Sequence, residues 1–95
     1  MDYETMESFE NDLVDRKVSV TVSSAANDFL YTGIYAGLVH GERGKPTNSI
    51  ILKPVDGCPL TKVSIIEGKH LNWSCLENVL INLDNVVSIE RVMKV

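Results

Sequence analysis

The sequence predicts a mainly β domain: an N-terminal helix followed by a strongly bent, five-stranded antiparallel sheet that curls into a small barrel. Three observations carry this. Lys17 to Val22 alternates strictly, with Val18, Val20 and Val22 on one face, the period of a half-buried strand. The longer segment Phe29 to Val39 is interrupted by Gly33 and Gly37, and glycines inside a strand pattern mark a sharp bend or a bulge. The closing stretch, Val79 to Val92, sets the β-branched strings Val79-Leu80-Ile81 and Val86-Val87-Ser88-Ile89 on either side of Asp84-Asn85, which is turn chemistry between two extended segments.

The elements follow in order. Residues 2–15 read as one short helix whose apolar positions Tyr3, Met6, Phe9, Leu13 and Val14 form a single stripe, with Asp2, Glu4 and Glu7 at the positive end of its dipole. Its expected role is to cap one end of the barrel. The first strand is residues 17–22. Ser23 to Asp28 is a small, polar turn, and residues 29–39 form the second strand. His40 to Pro46 is a loop by composition. Asn48 to Leu52 starts the third strand, and Pro54 limits how far it runs. Residues 56–61 form a turn and Lys62 to Glu67 an extension or extra strand. His70 to Glu77 has no clear period; Trp73 within it reads as a packing anchor rather than a base-stacking platform. Short connections without crossover helices complete the picture of a small antiparallel barrel.

Ninety-five residues make a single domain, residues 1–95, that buries roughly 65% of its unfolded surface. A hydrophobic fraction of 44% and a charged fraction of 23% are those of an ordinary globular protein. No apolar run approaches the ~18 residues of a membrane span, and the acidic start is unlike a signal or transit peptide, so a cytoplasmic protein without a membrane partner is expected. The net charge of −4 is unevenly spread. The first fifteen residues hold six acids and no base, whereas residues 16–95 hold seven acids against nine Lys and Arg. That balance argues against bulk electrostatic binding of nucleic acid and leaves room for a local basic rim.

Cys58 and Cys75 are not in a CxxC arrangement, and only His40 and His70 could complement them, so no zinc set is expected and both read as reduced, partly buried thiols. No nucleophile–base order, carboxylate pair or G-x-x-x-x-G-K-[ST] loop stands in the chain. Neither an enzyme nor a cofactor is expected.

From Leu76 the closing stretch reads L-E-N-V-L-I-N-L-D-N-V-V-S-I. It resembles the second motif of the Sm and Sm-like (LSm) family, with Leu76, Val79, Ile81, Asn85, Val86, Val87 and Ile89 on matching positions. Val18-Val20-Val22, Gly33 and Asn48-Ser49-Ile50-Ile51-Leu52 resemble the first motif. The divergence, and a stretch at residues 53–75 that reads as an insertion, are more similar to free-standing members from bacteria and their phages. The resemblance implies an SH3-type bent five-stranded sheet with an N-terminal helix. It further implies a ring closed by pairing the last strand of one subunit with the fourth of the next.

On this resemblance Val79, Ile81, Val86, Val87 and Ile89 are interface residues of a homo-oligomeric ring of about five to seven subunits, with five or six favoured. The family's usual ligand, single-stranded RNA, would meet Asn48 and Asn82 at the ring's inner face. The family's Asp and aromatic positions hold Gly44 and Pro46, and its Arg-Gly pair is Asn82-Leu83. The loop before Asn48 is longer than the family's and carries His40, Arg43 and Lys45, cations that a ring would repeat. Two functions follow: a weak RNA-binding ring, or a ring-forming or SH3-like protein-interaction module that has lost RNA chemistry.

Overall fold

The computed structural model describes residues 1–25, 27–41, 48–66 and 69–93, with the backbone alone over 69–72. The order is α1 (Tyr3–Leu13), β1 (Lys17–Ser23), β2 (Asp28–Val39), β3 (Ser49–Lys53), β4 (Leu60–Ile66), β5 (Lys69–Leu76), β6 (Val79–Asn82), a 3-10 turn (Leu83–Asn85) and β7 (Val86–Arg91). All strands join one antiparallel sheet, so the protein is mainly β with one N-terminal helix, and the sheet is open.

Seven strands stand where the sequence predicted five. The difference has a simple geometry. β2 pairs with β1 along one side, and on its other side with β3 over Ile34–Val39 and then with β4 over Asp28–Thr32. Between them the partner chain runs from Lys53 to Thr61 while β2 moves only from Ile34 to Thr32. The surplus is a small hairpin in which Val55 and Cys58 exchange backbone bonds of 3.0 and 2.9 Å, turned by Gly57 at φ 79°. Pro54 and Pro59 flank it, and neither has an N–H to continue a ladder. β6 and β5 repeat the pattern one strand further out, pairing with β3 and β4 respectively. The stretch read as an insertion thus supplies two strands, β4 and β5, that are hydrogen-bonded into the main sheet.

The predicted alternation of β1 holds: Val18 and Val20 are fully buried and Val22 nearly so. They face Gly33, Tyr31 and Phe29 of β2 and, with Tyr35, Ile50, Leu52, Leu60, Ile81, Leu83 and Val86, form the core. Each such valine contributes roughly 1.5–2 kcal/mol by leaving water. Gly33 is needed for close approach. A Cβ there would lie 2.6 Å from Leu60 Cδ1 and 3.4 Å from the Lys53 carbonyl. The predicted bulge falls beside Gly37, where the β2–β3 register shifts between Tyr35 and Gly37.

α1 is capped by Asp2, whose carboxylate accepts from Thr5 N at 2.8 Å and Thr5 Oγ at 3.0 Å. Those bonds hold its pKa below the ordinary carboxylate value. Met6 is the helix's buried residue, with Tyr3 and Leu13 packed partly against the core. Phe9, predicted to lie in that stripe, is 55% exposed. The inward position belongs instead to Glu10, whose Oε1 accepts from Leu38 N at 3.0 Å and so satisfies an amide of β2 beyond the reach of β1. Beyond the last helical residue Leu13 and the cap Val14, Asp15 adopts the left-handed φ of 63° and turns the chain toward β1.

Two further expectations are corrected. His70–Glu77, without an assignment from sequence, is largely β5, a strand fixed by its pairing with β4 and broken by a register shift between Val63 and Ser64. Trp73, expected as a packing anchor, is 70% exposed. Its register partner Val63 is 2% exposed but stands outside the main core cluster, on the face of the sheet opposite Leu60, and Trp73 is the outer member of that pair.

Two predictions follow from this packing. Gly33→Ala should cost about 1–3 kcal/mol in urea unfolding, because Leu60 is fully buried and must shift. Tyr35 tests a different point. Its side chain is fully buried, its hydroxyl has no hydrogen-bond partner among the described residues, and burial, aided by Glu10 and Tyr3, pushes its pKa well above the usual 10.0. Since a raised pKa favours the protonated folded form, the wild type loses stability as pH climbs past 10.0. Tyr35→Phe should be neutral or stabilising by up to about 1 kcal/mol at neutral pH. It should also lose less stability between pH 9 and 11 (about one unit either side of the ordinary tyrosine value).

Candidate nucleic-acid interface

Asn48 and Asn82 come together because β3 and β6 are neighbours. Ser49 pairs with Asn82, and Leu83 N donates to the Asn48 carbonyl at 2.9 Å. The two amides have local duties. Asn48 Oδ1 accepts from Gly41 N at 3.0 Å, closing the mouth of the loop that leaves β2. Asn82 Oδ1 accepts from Asp84 N at 2.9 Å, capping the 3-10 turn. Among the described residues neither Nδ2 donates to a protein acceptor, so what the pair offers a ligand is two half-exposed amide donors.

His40 is exposed next to that loop and meets the Tyr3 ring edge-on, centroids 4.7 Å apart. Arg43 and Lys45, with Gly44 and Pro46, lie outside the described residues. Leu83, which stands where the resembled pattern has glycine, is 1% exposed and belongs to the core. It plugs the sheet where β6 turns into β7. Sequence reasoning noted the departure but not this packing role, which the apolar period of Val79-Ile81-Leu83 could have signalled.

The predicted interface residues divide into two sets. Ile81 and Val86 are each 4% exposed and spend their side chains in the chain's own core, and Val79 and Ile89 pack partly against it. Val87 is 62% exposed, the extra residue where the β1–β7 register shifts between Thr21 and Val22. Leu80, not singled out from the sequence, is also 62% exposed. The backbone edges matter more. β7 pairs with β1 alone, β6 with β3 alone and β5 with β4 alone, so among the described residues both ends of the sheet present unpaired strand edges.

Cys58 is half-buried and Cys75 exposed, both free, and no group of three metal-ligating side chains occurs among the described residues. No helix of the described residues is long and apolar enough to cross a membrane. Comparison with protein-family models, with curated proteins and with solved structures finds no match.

The capping role of Asn82 is directly measurable. Asn82→Ala should lower stability by about 1 kcal/mol, and Asn82→Asp, which keeps the acceptor oxygen, should recover most of it in the same denaturation assay.

Proposed function

We propose that this chain is an Sm-like subunit that assembles with copies of itself into a ring, the free edge of β7 pairing with the β6–β5 edge of the next copy. The observation that carries the reading is the pair of edges, unpaired among the described residues, at opposite ends of one open sheet, flanked by exposed Val87 and Leu80. An open strand edge with apolar flanks recruits another strand, and pairing two different edges head to tail closes a ring when the rotation permits. Backbone pairing leaves Ile81 and Val86 in their own core, so assembly does not compete with folding.

Single-stranded RNA is the ligand of this reading. Its support is the juxtaposition of Asn48 and Asn82 at the mouth of the loop that carries Arg43 and Lys45 in sequence. One such site is weak, and a ring multiplies it. A specific observation favours a second reading, a ring-forming protein-interaction module: both Oδ1 atoms are occupied by the chain's own amides, and Leu83 is committed to the core.

Light scattering with and without a short U- or A-rich RNA separates these readings. A multiple of the 10.5 kDa protomer mass is expected, falling toward monomer in a Leu80→Lys, Val87→Lys double variant that keeps its melting temperature. A wild-type monomer would sink the ring. RNA affinity that drops steeply with salt supports the first ligand reading. Retention of the ring with no RNA bound at low salt supports the second.

A further inference from the structure

The faces that neither the core nor the strand edges use are segregated by charge. α1 carries Glu4, Glu7 and Asp12 facing solvent and Glu10 turned toward Leu38 N, without a base, and among the described residues none of these is in an ion pair. Phe9 projects from this acidic surface, 55% exposed. Its exposed neighbours on the same side of the helix are Thr5 and Asp12, so the ring is an exposed apolar anchor beside one carboxylate, with Glu4 and Glu7 across the helix.

A matching surface lies elsewhere on the molecule. Where α1 hands over to β1, an open groove of about 990 Å³ runs between the 15–17 segment, the 55–58 hairpin and the end of β7. Its cations are Arg16, Lys17 and Arg91; its apolar lining includes Ile34, Val55 and Val92. Of the two acids in the lining, Asp15 lies 3.9 Å from Lys53, leaving Asp56 facing three cations. Val55 and Val92 are 44% and 36% exposed, so the lining is available to an apolar side chain.

We propose that this groove receives the α1 helix of a second copy of the chain, Phe9 entering over Val55 and Val92 while Asp12, one turn along the same side of the helix, meets the cluster of Arg16, Lys17 and Arg91. The occupant is argued from charge complementarity: an acidic helix without bases and a predominantly cationic groove belong to one sequence, and opposite potentials steer such surfaces together. The contact is heterologous, joining two different surfaces, and uses no strand edge. It stands independently of the ring reading.

Cys58 lines the groove and supplies the test. In a Cys75→Ser background, Thr5→Cys places a second thiol on the Phe9 side of α1 while keeping Phe9, Asp12 and the three glutamates. Mild oxidation of a mixture of isotope-labelled and unlabelled chains should give a disulfide between position 5 of one copy and Cys58 of another, identified by mass spectrometry. A thiol introduced by Ser24→Cys, in an exposed turn, measures random collision. The specific link should exceed that background at low salt. It should fall at least about fivefold at 0.5 M salt, as screening of exposed charges requires. Phe9→Ala and Arg91→Glu should each reduce it comparably, with circular dichroism confirming that the fold is retained. A link no more frequent than the collision control, or one indifferent to salt and to both substitutions, overturns the proposal. Because the readout is a mapped bond at the groove, it is separate from the mass measured for a ring.

Discussion

β2 is the constraint on which the rest of the structure depends. Twelve residues must satisfy β1 on one side and, on the other, β3 and β4 in succession. That exchange of partners bends the chain near Gly33, between Tyr31 and Tyr35 on the core face, and the register bulges beside Gly37. Gly33 is the tightest point, because Leu60 and the Lys53 carbonyl press on it where β3 ends and β4 begins. The six-residue detour of Pro54 to Pro59 is the complement of that bend: the partner chain leaves the ladder where β2 turns and rejoins it beyond.

α1 completes what β1 cannot reach. Beyond Ile34, the β1 side of β2 has no strand partner among the described residues, and its backbone is met by the helix and the residues after it. Asp15 N donates to the Tyr35 carbonyl and Tyr35 N to the Arg16 carbonyl, both at 3.0 Å, and Glu10 accepts from Leu38 N. Each bond answers a backbone group that would otherwise be buried without a partner. The helix thus acts as a hydrogen-bonding edge cover as well as an apolar lid, which is why a glutamate occupies an inward position and Phe9 is left outside.

The same economy governs the β6–β7 corner. Asn82 caps the 3-10 turn and Leu83 closes the core, so the residues that depart from the resembled pattern hold the corner together. This shifts weight in the functional reading from side chains that would grip a base toward backbone edges that pair with another chain. The exposed apolar residues Leu80, Val87 and Trp73 all lie on strands with an unpaired edge, where a partner strand would shield them.

What the sequence determined by itself was the local periodicity: a helix near 2–15, the alternating valines of β1, the glycine-marked β2, and the corner from Val79 onward. These were legible because burial on one face imprints a period of about 3.6 or 2 residues on composition. The number of strands, the fate of His70–Glu77, and the exposure of Trp73 and Phe9 were decided by tertiary structure alone. Each depends on which segments pair across long stretches of chain, and a register shift or an odd residue offset moves a side chain to the other face without altering the local sequence. The resemblance placed Asn48 and Asn82 in one site. Only the hydrogen bonds revealed that both amides already serve the fold.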